Sequence, residues 1–146
     1  NCELFIGGEG PEKTNLQQLV KELNLQDKVV FLGQLTRTEV REQIQNCHVF
    51  ILPTRYEAFG VVYIEALSCG TPIIGTKAGG PESIINGSNG LLIDPDDVDQ
   101  LTEAMLNIID NYDKYNFDQI RKDAVNKFSI NVVVEAIIRE FNKVLI

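Results

Sequence analysis

Short apolar runs alternate with segments of helical periodicity along this chain, and that alternation limits the folds it can adopt. Five runs have the length and composition of buried parallel strands, namely residues 4–6, 29–32, 49–52, 72–74 and 90–93. Helical spacing of apolar residues lies between them, including residues 60–68 and a short helix at 81–85, and continues after Asp94. Strands that alternate with helices predict a right-handed, parallel, doubly wound sheet of the Rossmann-like α/β class, with a helical C-terminal tail.

Two helical segments carry specific signals. Thr36 and Glu39 have the spacing of a capping box, which predicts that a helix begins at Thr36. The last helix carries an unbroken apolar stripe that runs from Ile130 to Leu145. These signals indicate where one helix starts and which face of another is apolar.

The composition excludes some classes of function. A net charge of -8 argues against general affinity for nucleic acid or anionic lipid, so an anionic ligand has to be held locally by backbone amides or a few cations. No apolar run approaches the roughly 20 residues of a membrane span, and no signal-peptide pattern opens the chain. Cys2, Cys47 and Cys69 form no metal-ligand cluster and are expected to be reduced thiols. We expect a cytoplasmic protein, with contact at the inner face of a membrane left open.

The length suits one domain with a real core, so we expect residues 1–146 to form a single domain. The chain has no starting Met and opens directly on a strand segment, which suggests a piece of something longer. In an open α/β sheet, ligands bind beyond the carboxyl ends of the strands. Three loops at such positions have unusual compositions: residues 7–11, 54–60 and 77–82.

The first of these loops is rich in glycine, which permits close approach of a ligand to the backbone. Gly8 and Gly10 fit two positions of the dinucleotide fingerprint, but Lys13 occupies the third, where a small residue is required. A plain tight turn is an equally good interpretation. The loop therefore gives no support for a dinucleotide site.

The second loop leads directly into a helix. Phe59, Gly60 and Val61 would present free backbone N–H groups at the helix N-terminus, where phosphate or sugar oxygens can bind without net positive charge. Glu57 just before it is either a ligand for hydroxyl groups, a solvated carboxylate, or a cap for the first amides.

Glu65 lies within the same helix, in an otherwise apolar stretch. A buried carboxylate is costly unless its oxygens receive hydrogen bonds, and vicinal ribose hydroxyls would supply two donors. The alternative is a carboxylate satisfied by a lysine, arginine or amide of the protein itself. In the third loop, Lys77 is expected to be a solvated surface residue. His48 is expected to be structural, because it has no acid and nucleophile nearby.

Residues 57–65, Glu-Ala-Phe-Gly-Val-Val-Tyr-Ile-Glu, resemble the E-x7-E signature of the retaining glycosyltransferases of group 1, or family 4. Further segments agree with that family in order: 4–11 with its strand and G-x-G-P, 29–33 with V-x-F-x-G, 50–54 with F-x-x-P-S/T, 65–74 with E-A-x-A-x-G-x-P-V-I, and then 79–82 and 89–92. The resemblance implies the GT-B architecture, in which two Rossmann-like domains face a cleft.

The resemblance also implies roles for individual residues. Glu57 would be the catalytic-site carboxylate that bonds donor-sugar hydroxyls, and Glu65 would bond the ribose of the nucleotide. The remaining donor-binding residues would be Gly8, Gly10, Phe31, Gly33, Gln34, Ala58, Phe59, Gly60 and Val61. Of these, Phe31, Gly33 and Gln34 would border the base. Ala58 stands where the family commonly has Gly. No cofactor and no metal ion is expected.

The chain would then be the donor-binding, C-terminal half of an enzyme that moves a sugar from a nucleotide-diphosphate donor to a glycan, lipid or small-molecule acceptor. The acceptor-binding domain and the Arg and Lys that neutralise the diphosphate would precede these residues, so we expect no turnover by the chain alone. Two alternatives stay open: another GT-B enzyme, such as an epimerase or a phosphorylase, and a non-enzymatic Rossmann-like nucleotide-binding module.

Overall fold

The computed structural model describes residues 2–144 of the chain. Its helices and strands, in chain order, are β1 (Leu4–Gly7), α1 (Lys13–Glu22), β2 (Val29–Gly33), α2 (Arg37–Asn46), β3 (Phe50–Leu52), α3 (Val61–Cys69), β4 (Ile73–Thr76), β5 (Gly90–Ile93), α4 (Val98–Asp110), α5 (Phe117–Phe128) and α6 (Ile130–Val144). All three strand pairings in the described residues are parallel. The predicted Rossmann-like α/β class with a helical C-terminal tail is confirmed.

The chain divides into two compact units, of which the first is Asn1–Glu42. In this unit β1 pairs with β2, with Leu4 opposite Val29. The prediction of a buried first strand is wrong, because Leu4 and Phe5 are 43% and 48% exposed. Each strand of this unit has one hydrogen-bonded neighbour in a two-stranded sheet. An apolar run of strand length therefore does not by itself indicate burial.

The second unit is Gln43–Ile146, and it contains a three-stranded sheet in the order β3-β4-β5. Its central strand, β4, is buried along its whole length. A core cluster joins this sheet to α4 and consists of Ile74, Ile93, Ala104 and Ile108. Burial on both faces agrees with the uninterrupted apolar character of the strand.

The predicted capping box is present at the start of α2. The carboxylate of Glu39 accepts a hydrogen bond from the Thr36 backbone N–H at 2.8 Å, and the Thr36 hydroxyl accepts one from the Glu39 N–H at 3.3 Å. The short helix predicted at residues 81–85 is only a single 3-10 turn, Pro81–Ser83. The apolar face of α6 is largely exposed, and its predicted last member, Leu145, lies outside the described residues.

Helix α3 begins at Val61, one residue later than predicted, because Gly60 is its N-cap. Gly60 has a φ of +93°, in the left-handed region, and a Cβ built on it would lie 2.4 Å from Cδ2 of Tyr63. Only glycine satisfies both the conformation and the space at this turn. The turn brings the preceding loop to the carboxyl end of the second unit's sheet.

Candidate functional site

Two loops lie side by side at the carboxyl ends of β3 and β4. Glu57 lies in the loop of residues 54–60 after β3 and Gly79 in the loop of residues 77–82 after β4, and the two residues form an isolated parallel β-bridge. The Glu57 N–H donates to the Ala78 carbonyl at 3.2 Å, and the Gly80 N–H donates to the Glu57 carbonyl at 2.8 Å. The first carboxylate of the E-x7-E pair is thus placed by backbone hydrogen bonds to the neighbouring loop.

The side chain of Glu57 is partly engaged within its own loop. Its Oε1 accepts a hydrogen bond from the Phe59 N–H at 3.2 Å. The prediction that the Phe59 amide is free is therefore wrong, because the carboxylate two residues earlier reaches it. Oε2 of Glu57 has no hydrogen-bond partner among residues 2–144, so one oxygen stays open to a ligand.

Helix α3 starts next to this carboxylate with open backbone donors. The N–H groups of Gly60 and Val61 have no acceptor in the part of the chain that the structure describes. They are among the first amides of the helix, where the backbone dipole is positive and no intrahelical partner exists. Val61 is 60% exposed, so an anionic oxygen can reach this helix end from solvent.

A buried tyrosine supports the turn from below. Tyr63 is completely buried, and its hydroxyl donates to the Leu52 carbonyl at the end of β3 at 2.7 Å. Burial raises the pKa of Tyr63 to about 12, and the negative charge of Glu57 adds to the effect. The tyrosine therefore ties α3 to β3 as a neutral donor. We made no prediction for it from sequence, although a tyrosine in an apolar helix needs a partner.

A pair of threonines closes the gap between the same two loops. The Thr76 hydroxyl donates to the Thr54 carbonyl at 2.6 Å and lies 3.1 Å from the Thr54 N–H, from which it accepts. Thr76 is buried, so these bonds satisfy polar groups that water does not reach. Sequence reasoning missed this pair as well, because it depends on how β3 and β4 lie side by side.

Glu65 does not lie where the sequence predicted. Its side chain is exposed, on the same side of α3 as Val61, whereas the helix buries Tyr63, Ala66 and Leu67. The prediction of a buried carboxylate is wrong, since an apolar composition on all sides does not mean that all sides are covered. Within the described residues, the carboxylate of Glu65 forms no hydrogen bond or ion pair. The alternative in which a cation of the protein satisfies it therefore receives no support.

The cations nearest these loops are paired with aspartates. The ammonium of Lys77 lies 2.8 Å from Oδ1 of Asp94, and Nε of Arg55 lies 2.9 Å from Oδ2 of Asp96. Hydrogen bonds from Lys77 and Gln100 hold the pKa of Asp94 below its ordinary value. All four side chains of the two ion pairs are half or more exposed, as expected for surface pairs.

His48 lies away from these loops and packs edge-to-face against Tyr112, with ring centroids 5.1 Å apart. That contact agrees with the structural role predicted for it. Cys2, Cys47 and Cys69 form no disulfide bond within residues 2–144. Burial raises the pKa of the Cys47 thiol, which favours its neutral form.

Ala58 is exposed in the loop before α3, and the remaining predicted site residues belong to the first unit. Gly8 and Gly33 come together there, because the Gly8 N–H donates to the Gly33 carbonyl at 2.7 Å. A Cβ added to Gly8 or Gly10 would meet nothing within 4 Å, so both glycines border open space. Phe31 is half-buried and Gln34 is exposed. The roles of these residues in binding a nucleotide base stay predictions.

A groove of about 420 Å³ lies elsewhere on the second unit, lined by polar residues of the α4–α5 region that include Asn107, Asn111 and Gln119. Neither glutamate of the E-x7-E pair lines it, so its size does not make it the candidate site. Among residues 2–144, no three His, Cys, Asp or Glu side chains are grouped as a metal ion requires. No described helix is long and apolar enough to cross a membrane.

The chain is similar in sequence to a known family and to several of its members. The family model of the Glycosyl transferases group 1 matches residues 1–144. An uncharacterized glycosyltransferase of Methanocaldococcus jannaschii is 30% identical over 146 residues, covering 89% of this chain and 37% of that protein. The N-acetyl-alpha-D-glucosaminyl L-malate synthase of Bacillus anthracis is 36% identical over 110 residues, covering 75% of this chain and 28% of the synthase. The chain thus spans well under half the length of these relatives.

A solved structure has the same fold. The crystal structure of HepE from Anabaena in complex with UDP matches with a TM-score of 0.86 at 24% identity, covering 97% of this chain and 41% of HepE. Likeness at this level of identity concerns the fold alone. It agrees with the parallel α/β architecture described above.

Proposed function

Because the chain belongs to the family of group 1 glycosyl transferases, we propose that it binds a nucleoside-diphosphate sugar and serves the transfer of that sugar to an acceptor with retention of configuration. The observation that carries the proposal is the turn at the start of α3. There, the amides of Gly60 and Val61, which have no acceptor in the described residues, adjoin the half-buried carboxylate of Glu57, which has one oxygen open to a ligand. A phosphate needs donors and a sugar needs acceptors, and this turn offers both within five residues.

The amides of Gly60 and Val61 are proposed to receive oxygens of the diphosphate or of the sugar. This mode of binding suits a protein of net charge -8, because it uses the helix dipole instead of a cluster of cations. HepE, which shares the fold, was crystallised with UDP and with UDP-glucose. We extend to this chain only the class of ligand, a nucleoside diphosphate with its sugar, and leave the base open.

Glu57 is proposed to accept hydrogen bonds from donor-sugar hydroxyls through its Oε2 atom. Its other oxygen accepts from the Phe59 N–H, and its backbone N–H and carbonyl are both bonded to the loop of residues 77–82. A carboxylate fixed in this way selects the orientation of a sugar ring at little entropic cost. It is the residue that we assign to the reacting end of the donor.

Glu65 is proposed to bond the ribose hydroxyls, as acidic residues do in dinucleotide-binding folds. The support differs from the burial that we expected. Glu65 lies one turn after Val61, on the same exposed side of α3, and has no partner in the described chain. A ribose approaching the helix from the side of Val61 meets an unoccupied carboxylate.

In the complete reaction the leaving nucleoside diphosphate has to be stabilised electrostatically. We propose that residues 1–146 act as one donor-binding domain and that the acceptor, a glycan or lipid, is held by a different part of the enzyme. The short span of this chain relative to its relatives supports that division of labour. The proposal uses no metal ion and no cofactor.

Titration with nucleotides tests the proposal. We expect the protein to bind at least one of UDP, GDP and ADP, or the corresponding sugar nucleotide, with a Kd of roughly 1 mM, about -4 kcal/mol. Ligand-observed NMR measures affinities in this range, and NAD serves as the comparison ligand. Tighter binding of NAD than of every nucleoside diphosphate, or binding of none of them, would refute the proposed function.

A further inference from the structure

We propose that Glu82 and Gly80, in the loop after β4, are positioning residues for Glu57 and thereby control recognition of the donor sugar. The inference rests on the proposed function, because it assigns a consequence to the placement of Glu57. Neither residue was among the predicted donor-binding residues. Glu82 is exposed, and the hydrogen bonds described for its carboxylate go to Gly79, so it acts on Glu57 through the backbone.

Two backbone hydrogen bonds link Glu57 to the loop after β4. Glu57 has its N–H bonded to the Ala78 carbonyl at 3.2 Å and its carbonyl bonded to the Gly80 N–H at 2.8 Å. These two bonds extend the β3–β4 pairing past the ends of both strands, at Glu57 and Gly79. The position of the Glu57 backbone therefore depends on the conformation of residues 78–80.

The carboxylate of Glu82 fixes the backbone conformation at Gly79. Gly79 has a φ of +113°, and its N–H donates to both carboxylate oxygens of Glu82, at 3.0 and 3.3 Å. Hydrogen bonds to an ionised carboxylate are stronger than those to a neutral acceptor. Glu82 thus bonds back to the start of its own loop and holds Gly79 in a backbone conformation that residues with a side chain rarely adopt.

The loop after β4 approaches the loop after β3 closely at Gly80. Its backbone angles, φ -66° and ψ -44°, suit any residue, so conformation does not explain a glycine here. Space does, because a Cβ on Gly80 would lie 2.5 Å from Cα and 2.6 Å from N and O of Phe59. The Phe59 N–H is the group that binds Oε1 of Glu57. Any side chain at position 80 would displace the turn that aims the carboxylate.

A closed set of contacts holds the turn from its other side. The ring of Phe59 packs edge-to-face on Phe128 at 6.5 Å between centroids, and Nζ of Lys127 lies 5.0 Å from the centre of the Phe128 ring. Lys127 donates to the Ser83 carbonyl at 2.9 Å, and the Ser83 hydroxyl donates to the Gly80 carbonyl at 2.8 Å. The turn is thus enclosed by the loop after β4 and the end of α5.

The variants Glu82→Ala and Glu82→Gln test the inference, because alanine removes the acceptor and glutamine keeps one. Glu103→Ala is the matched control, since Glu103 is exposed on α4 and its carboxylate forms no hydrogen bond or ion pair within residues 2–144. The first readout needs no ligand: hydrogen exchange of the Gly80 and Phe59 amides. We expect Glu82→Ala to accelerate both by about tenfold, and Glu82→Gln by less.

The second readout is affinity for a sugar nucleotide and for the same nucleotide without its sugar. We expect Glu82→Ala to weaken the sugar nucleotide by about tenfold and the bare nucleotide by less than about twofold, with Glu82→Gln close to the parent. Glu103→Ala should change neither readout. Gly80→Ala should reproduce the selective loss of the sugar nucleotide wherever it folds.

The outcomes separate the two proposals. Unchanged exchange of the Gly80 and Phe59 amides in Glu82→Ala overturns the positioning role. So does an equal loss of both ligands, because the effect would then not pass through the carboxylate that contacts the sugar. If the parent protein binds no nucleotide at all, the proposed function fails, and the assigned control of sugar recognition falls with it. The exchange data would then show whether Glu82 still holds the turn.

Discussion

The two glutamates of the E-x7-E pair differ in their surroundings, and the exposed one is the one that the sequence predicted to be buried. Glu57 is half-buried, accepts a hydrogen bond from the Phe59 N–H and is fixed by the backbone of residues 77–82. Glu65 is exposed and without a described partner. The first is therefore organised before any ligand arrives, whereas the second gains its hydrogen bonds only on binding. This difference leads to separate expectations for their removal.

Glu57→Ala should weaken a sugar nucleotide more than the bare nucleotide, because only the sugar meets its free oxygen. Glu65→Ala should weaken both ligands alike, by about 1–3 kcal/mol, because both contain the ribose. Titration calorimetry or ligand-observed NMR on the two variants measures these differences, with Glu103→Ala as the control. Equal affinity of parent and Glu65→Ala would exclude the ribose role. Equal loss of both ligands in Glu57→Ala would exclude a contact with the sugar.

Tyr63 makes the stability of the protein sensitive to alkaline pH. Its pKa is raised to about 12 from an ordinary value of 10, so its stabilising effect is complete below pH 10 and is lost as pH rises towards 12. Tyr63→Phe should cost about 1 kcal/mol at neutral pH, since the Leu52 carbonyl loses its donor. The variant should also lose less stability between pH 8 and pH 11 than the parent.

Urea unfolding at several pH values measures both effects. The fall with pH is reduced in the variant and not abolished, because burial also raises the pKa of Tyr112 and of Tyr115. An unchanged pH dependence in Tyr63→Phe would contradict the assignment.

At the scale of helices and strands, patterns that depend on neighbours in sequence were predicted well. The fifth strand has the predicted bounds, and the Thr36–Glu39 capping box is formed. Features set by tertiary contacts were not predicted. The burial of Glu65 was wrong because the face of α3 that contains it is uncovered, and the role of Gly80 depends on a loop twenty residues earlier. Local pattern gives the turn before α3, but not the hydrogen bonds that aim Glu57.

The helix α4 depends on its N-cap. Oδ1 of Asp97 accepts from the Gln100 N–H at 2.8 Å. Asp97→Ala should therefore lower the free energy of unfolding by about 1 kcal/mol. Asp99→Ala is the matched control, because Asp99 lies in the first turn without capping the helix. Thermal or urea unfolding of the two variants compares the cap with the general benefit of a negative charge near the helix start. Equal destabilisation by both would show that the cap adds nothing.

At the scale of the whole molecule, the charge of -8 opposes the approach of an anionic nucleotide. The attraction proposed here is short-range, through amides at one helix end, whereas the repulsion is long-range and screened by salt. Raising the ionic strength from low values to 0.15 M, where the screening distance is about 8 Å, should leave nucleotide affinity unchanged or slightly higher. Isothermal titrations at several salt concentrations measure this. A steep loss of affinity with salt would indicate a cationic site instead.

Chemical-shift mapping of the backbone amides shows whether the turn at the start of α3 receives the donor. On titration with a nucleoside diphosphate sugar, we predict that the largest saturable shifts occur at Gly60 and Val61, whose amides have no acceptor within residues 2–144. Shifts concentrated at the polar groove near Asn107 and Gln119, with Gly60 and Val61 unmoved, would show that the donor does not bind at this turn.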